Sequence, residues 1–299
     1  MLPFLLAAAI TFTLHDKDVL QPPKAAPIAV WTSQASAVRE PVEFTAKDGS
    51  HIRGWLYRAK PADSSDVAAS APTVLFFYGS NEDLVHEQAR LAWLSESLHV
   101  NAICFDYPGY GFSTGQISVK ATRDIALEEY DFISDHVASR GSTGAAAVPP
   151  IVAYGWSIGT GLAVHVAAER HVAGLILQAP PASADEMAAW SSQHDVPRLA
   201  RGIAKVAIDP AVSPIYENVH EIAKVSSPLL VVQGMEDDVV PIAQGREVFS
   251  ASPAKQKRFV EVPGAHHNDI RVGHPPAGDA VATFLQQLAT NDPAEAQTR

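Results

Sequence analysis

The stretch VAYGWSIGTG, residues 152–161, sets a serine between two glycines, directly after an apolar run and directly before a run of small residues. With Gly and Ser each at roughly 7% of residues, chance supplies about 0.1 matches to Gly-x-Ser-x-Gly in a chain of this length, so the motif gains its weight from its setting. That setting is a turn from strand into helix. Gly155 and Gly159 let the backbone bend sharply enough to lift Ser157 above the end of a sheet, and Gly161 and Ala163 let the following helix pack close. The competing reading is a helix N-cap serine.

Outward from this turn the chain alternates between two periodicities. TVLFFYG (73–79) is a continuous apolar run of strand length, and NAICFDYPG (101–109), IVAYGW (151–156), VAGLILQAP (172–180), PLLVVQGM (228–235) and KRFVEVPG (257–264) read as further strands. Between them lie helical patterns: Leu84, Leu91, Leu94 and Leu98 share one face, as do Ala126, Tyr130, Ile133 and Val137. Further helices are expected over 158–170, 243–251 and 277–288. Upstream, PVEFTAKDGSHIRGWLYRA (41–59) places Asp48-Gly49 between two β-rich runs, a hairpin signal. The expectation is an α/β fold with eight strands, the first two as a hairpin, in a mostly parallel sheet with helices on both faces. Its ligand site then lies at the carboxyl ends of the strands. Residues 182–227 show no strand-like run, carry Trp190, Pro197, Pro210 and Pro214, and read as a small helical cap.

The whole domain spans 41–290, between an N-terminal segment and linker (1–40) and a C-terminal tail (291–299). The 299 residues carry 22 Lys and Arg against 33 Asp and Glu, a net charge of −11, and 47% are hydrophobic. That balance, with no basic cluster, argues against nucleic acid as a partner. A single cysteine, Cys104, excludes an intrachain disulfide and a thiolate zinc cluster. MLPFLLAAAITFTL opens the chain with an apolar run over 2–14, short for a bilayer span and close to a signal-peptide core. It lacks a basic n-region, and the small-residue pattern Ala35-Ser36-Ala37 lies about twenty residues beyond it, far for a peptidase site. Export or membrane anchoring through this segment, a misassigned start and a docked apolar tail are the alternatives, and the compartment stays open between exported and cytoplasmic.

A serine hydroxyl becomes a nucleophile when a base takes its proton, commonly a histidine oriented by a carboxylate. Both should follow the serine, on turns after later strands. PLLVVQGMEDDVVP offers Asp237 and Asp238, and KRFVEVPGAHHND offers His266 and His267. A metal site built on those histidines with Asp269 and His274 is the weaker reading, because adjacent histidines point apart. No cofactor is called for.

With these residues in view the chain resembles the α/β-hydrolase superfamily, and within it the serine-aminopeptidase-like and depalmitoylase-like branch, over about residues 41–288. The likeness rests on GWSIG, DYPGYGFSTG (106–115), QGMEDDVVP and PGAHHND. It implies a catalytic triad of Ser157, Asp237 rather than Asp238, and His267 rather than His266. It also implies an oxyanion hole formed by the backbone N–H of Ile158 and of a residue in the turn after TVLFF. There Tyr78 stands where the family commonly carries histidine, Gly79 matches, and Ser80 falls at the donor position, with Asn81 the alternative. Trp156, Tyr110, Phe112, Met187 and Trp190 are candidates for an apolar acyl pocket, against ordinary packing. The expected substrate is a small molecule or acyl group, uncharged unless Arg198 and Arg201 hold an anion. Cleavage of a carboxylic ester or thioester is the first expectation. A serine aminopeptidase, with Asp185, Glu186 or Asp195 holding the free amine, is the second, and a silent ligand-binding protein the third.

Overall fold

The computed structural model describes residues 10–23, 39–59, 71–140, 150–198, 200–201, 204–271 and 273–290. Chain order begins with a short strand β1 (Ile10–Leu14) and a single helical turn α1 (Asp16–Val19). The hairpin follows as β2 (Arg39–Thr45) and β3 (His51–Tyr57), closed by a turn in which Gly49 takes φ +89° and Asp48 accepts the N–H of Ser50. Next come β4 (Thr73–Phe77), α2 (Gln88–Ser97), β5 (Asn101–Phe105), α3 (Val119–Arg140), β6 (Ile151–Trp156), α4 (Gly159–Glu169) and β7 (Gly174–Gln178). The cap region holds α5 (Ala184–His194), β8 (Ala204–Ile208), a 3-10 turn (Ser213–Ile215) and α6 (Asn218–Ile222). The chain then returns through β9 (Leu229–Gly234), α7 (Ile242–Ala251), β10 (Lys257–Val262) and α8 (Ala277–Thr290).

Eight strands form the main sheet in the order β10-β9-β7-β6-β4-β5-β3-β2. All pairs are parallel except β3 with β5 and with β2, as expected of a parallel sheet opened by a hairpin. Burial explains the composition of the strands. Every residue of β4, β5, β6, β7 and β9 is buried, because helices cover both faces, whereas the edge strands β2 and β10 mix buried and exposed positions. The chain passes from β4 outward to β5, then returns to place β6 on the other side of β4. Connections therefore leave in opposite directions at β4 and β6, which opens a crevice at their carboxyl ends.

Two expectations are corrected. Helix α2 begins at Gln88, so Leu84 precedes it and reaches the core from the loop. The cap region is also not free of strands: β8 pairs in parallel with β1, Ile10 opposite Ala204 and Leu14 opposite Ile208. A five-residue strand whose partner lies some 190 residues earlier leaves no local hairpin or alternation signal, which is why the sequence pattern hides it. The end of the apolar N-terminal run is thus docked on the cap. Among the described residues, no helix is long and apolar enough to cross a membrane.

Candidate active site

The turn between β6 and α4 carries Ser157 in the left-handed region, φ +54°. A non-glycine residue there stores strain of order 1 kcal/mol, and the surrounding glycines show what enforces it. A Cβ on Gly155 would lie 2.4 Å from the carbonyl oxygen of Gly159, and a Cβ on Gly159 would lie 2.2 Å from that of Phe77. Only bare backbone fits at both positions, so the turn packs directly on the end of β4. The N–H of Ser157 is held by the carbonyl of Gln178 at 2.9 Å, fixing the turn to β7 as well.

Two loops bring the partners. After β9, Asp237 sits with its side chain fully buried, and after β10, His267 is 6% exposed. Ser157 Oγ lies 2.9 Å from His267 Nε2, and His267 Nδ1 lies 2.9 and 3.1 Å from the two carboxylate oxygens of Asp237. A carboxylate can only accept, so the proton of the neutral imidazole belongs on Nδ1 and leaves Nε2 free to accept from the serine. The carboxylate is itself oriented: Oδ1 accepts the N–H groups of Val239 and Val240 at 3.0 and 2.8 Å, and Oδ2 accepts from Gln233 Nε2 at 2.9 Å. The neighbours stand apart. His266 is half exposed, 3.8 and 3.7 Å from Glu236 and Asp238, on the solvent side.

Ile158 caps α4, and among the described residues neither its N–H nor that of Ser80 meets a backbone acceptor. The loop after β4 abuts the serine, since a Cβ on Gly79 would lie 3.4 Å from Ser157 Cβ. Tyr78, at the place of the family histidine, turns inward. Its ring lies 4.1 Å from that of Tyr107, its hydroxyl accepts the Tyr107 N–H at 2.9 Å and donates to Asp106 Oδ1 at 3.4 Å, and Tyr107 donates back to its carbonyl at 2.7 Å. Asp106 also accepts the N–H of Leu84 and of Phe112, tying together the loops after β4 and β5. Burial pushes its pKa up to about 7, more than these hydrogen bonds lower it.

The pocket candidates separate. Trp156 is nearly buried, its ring 6.2 Å from that of His267 and backed by the Arg90 guanidinium at 5.2 Å. Tyr110, expected in a pocket wall, is instead 1% exposed and packs among Tyr78 and Tyr107; its phenol fills core under the loop because the left-handed glycines on either side turn the backbone over it. Phe112 leans on Trp55. Met187 packs against the core, and Trp190 donates from Nε1 to the carbonyl of Asp238, pinning α5 to the loop that carries the acid. Arg201 spends its guanidinium on the carbonyls of Val196 and His194, and Arg198 is exposed. Asp185 and Asp195 are exposed, while the Glu186 carboxyl faces Glu247 and is raised in pKa by partial burial and by that carboxyl. A surface depression of about 400 Å³ near Leu229, Lys257 and Phe284, and another of about 470 Å³ near His194 and Arg201, both lie away from Ser157.

Sequence reading passed over two glutamines. Gln233, at the end of β9, orients the acid and also donates to the Val240 carbonyl. Gln178, at the end of β7, accepts from Arg90 and Tyr154 through its side chain and donates to the Ile270 carbonyl. Both stand as the last polar residue of an otherwise apolar strand, LLVVQ and GLILQ, and that placement is the signal that was available. Among the described residues no group of three or more His, Cys, Asp or Glu is arranged to hold a metal ion.

No family model matches the chain. An uncharacterized protein of Mycobacterium tuberculosis (strain CDC 1551 / Oshkosh) is 31% identical over 288 residues, 95% of this chain and 92% of that protein. The alpha/beta hydrolase domain-containing protein 17B of Xenopus laevis is 29% identical over 210 residues, 67% of this chain and 62% of its own length. Among solved structures, an esterase of Pyrococcus furiosus superposes with a TM-score of 0.63 at 18% identity, covering 90% of this chain and 98% of that one.

Proposed function

Since the chain belongs to the α/β-hydrolase superfamily, we propose that it is a serine hydrolase that cleaves an uncharged carboxylic ester or thioester through an acyl-enzyme on Ser157. The observation that carries this reading is the line Ser157 Oγ, His267, Asp237, with 2.9 Å at each step and both inner members buried. His267 Nε2 takes the proton as Oγ attacks the carbonyl carbon. The carbonyl oxygen becomes an oxyanion, received by the N–H groups of Ile158 and Ser80, and each such donor contributes a few kcal/mol to lowering the barrier. Collapse of the adduct breaks the bond to the alcohol or thiol, which leaves with the proton from His267. Water then repeats the sequence on the acyl-enzyme, releasing the acid and restoring Ser157. Asp237 keeps the imidazole in the tautomer that both halves need.

The nearly buried Trp156, whose ring lies 6.2 Å from that of His267, favours an apolar acyl group. The test is a fluorophosphonate probe: wild type is labelled and Ser157→Ala is not, whereas equal labelling, or none, overturns the mechanism and favours a silent binding protein. Rates on nitrophenyl esters of increasing acyl length, set against aminoacyl anilides, then decide between esterase and aminopeptidase, and faster anilide cleavage would refute the ester preference.

A further inference from the structure

We propose that residues 15–21, which follow the apolar N-terminal run, form a strap that positions the oxyanion-donating loop and selects Ser80 rather than Asn81 as its donor. The proposal rests on the serine-hydrolase reading. The strap is anchored at three places. At the cap end, the Leu14 carbonyl accepts the N–H of Asp209 at 3.0 Å, and His15 Nδ1 lies 2.8 Å from the Asp209 carboxylate. In the middle, Asp16 Oδ1 accepts the N–H of Val119 at 2.6 Å, satisfying an N-terminal donor of α3 that has no partner within its helix. Beyond α1, Val19 and Leu20 enter the core, 4% and 0% exposed, and Gln21 closes the turn by donating to the Asp18 carbonyl.

At that point the strap meets the loop after β4. The Val19 carbonyl accepts the Ser80 hydroxyl at 2.9 Å, and the Gln21 carbonyl accepts the backbone N–H of Asn81 at 2.8 Å. Asn81 is held at φ +64°, a conformation that asparagine tolerates but that needs contacts to maintain it. These two bonds divide the work of the loop. The Asn81 N–H is consumed by the strap and is lost to an oxyanion, while the Ser80 side chain is tied back and its N–H meets no backbone acceptor among the described residues, next in the chain to the Gly79 that abuts Ser157. Donors act on a transition state only when aimed beforehand, so a strap that fixes the 80–81 peptide acts on the barrier and not on substrate affinity. The apolar stretch over 2–14 that reads as a signal or anchor in sequence leads, from residue 15 onward, into a positioning element. Cleavage at Ala35–Ala37 would take it away.

The experiment uses the full chain with three substitutions: Leu20→Ala, which loosens the strap's anchor, Leu20→Met, which keeps its bulk, and Ser80→Ala, which removes the bond to Val19 but keeps the backbone donor. Active sites are counted by fluorophosphonate labelling, and kcat, KM and the inhibition constants of an alkyl trifluoromethyl ketone and of the product acid are measured per labelled site. Leu20→Ala and Ser80→Ala should lower kcat about 10- to 100-fold with KM within twofold, and weaken the ketone by the same factor but not the product acid. Leu20→Met should restore both. Unchanged kcat per labelled site in Ser80→Ala overturns the strap while leaving the hydrolase reading intact, and so does a loss that appears equally in ketone and product affinity. Should Leu20→Ala fail to fold, Ser80→Ala decides alone. Absence of labelling in wild type overturns the hydrolase reading itself.

Discussion

Replacing Asp237 by asparagine changes one atom, and the hydrogen bonds around it dictate which. Oδ1 accepts two backbone N–H groups, from Val239 and Val240, at 3.0 and 2.8 Å. Turning an amide NH₂ toward them would set two donors against a donor, at about 1–3 kcal/mol for the buried Val240 group alone, so the amide oxygen of Asp237→Asn stays at the Oδ1 place. The NH₂ then occupies the Oδ2 place, 2.9 Å from His267 Nδ1 and from Gln233 Nε2. Gln233 can turn its own amide so that its unpartnered Oε1 accepts from the new NH₂, at the cost of its bond to the Val240 carbonyl. His267 has no such freedom. To accept from the new NH₂ it must carry its proton on Nε2, which then points at Ser157 Oγ and cannot take a proton from it. A triad histidine held in that tautomer loses about 10³- to 10⁴-fold in kcat, or roughly 4–5 kcal/mol of barrier stabilisation. The oxygen 3.1 Å from Nδ1 is the route by which a minority of molecules keep the productive tautomer. The assay is kcat and KM on a short-chain nitrophenyl ester, with thermal unfolding followed by circular dichroism. The expected result is a collapse of kcat with KM nearly constant and a midpoint within a few degrees of wild type. A variant keeping more than a tenth of wild-type kcat would refute the role given to Asp237.

Two further outcomes follow from the geometry. Gly159→Ala places a methyl 2.2 Å from the Phe77 carbonyl oxygen, which is backbone and cannot give way. The turn must open, so activity should fall at least tenfold and stability by about 1–3 kcal/mol, checked by ester turnover and by denaturant midpoint. For Asp106, burial raises the pKa from 3.8 to about 7, so the folded protein binds a proton there that the unfolded chain releases. Between those two values the folded state holds more protons, and this group's contribution to stability must fall as pH rises, by up to about 4 kcal/mol across the window, and is fully present only below about pH 4. Asp106→Asn, which loses an acceptor for Leu84 or Phe112, should be less stable at pH 5 yet flatter between pH 5 and 7.5 in urea titrations. An unchanged slope would show that Asp106 does not titrate in that range.

The α/β alternation, the opening hairpin and the order serine, acid, histidine were all legible in the chain, because each is written in local chemistry. Fully buried strands need apolar runs such as VLFF and LLVV, a sharp turn needs Gly155 and Gly159, and loop residues after strand ends fall on one side of a parallel sheet. Choosing Asp237 and His267 over their neighbours required the family resemblance, and the structure supplies a physical counterpart: Asp237 and His267 are buried and joined, while Asp238 and His266 face solvent. What only the tertiary structure decided rests on contacts between residues far apart in the chain. Strand β8 exists because β1 lies beside it, Tyr110 leaves the expected pocket because Tyr78 and Tyr107 meet it in the core, and the N–H of Asn81 is claimed by the carbonyl of Gln21. No periodicity or spacing encodes these pairings. They depend on which backbone groups remain unpaired once the sheet has formed, and the fold satisfies those groups with whatever segment it brings within reach.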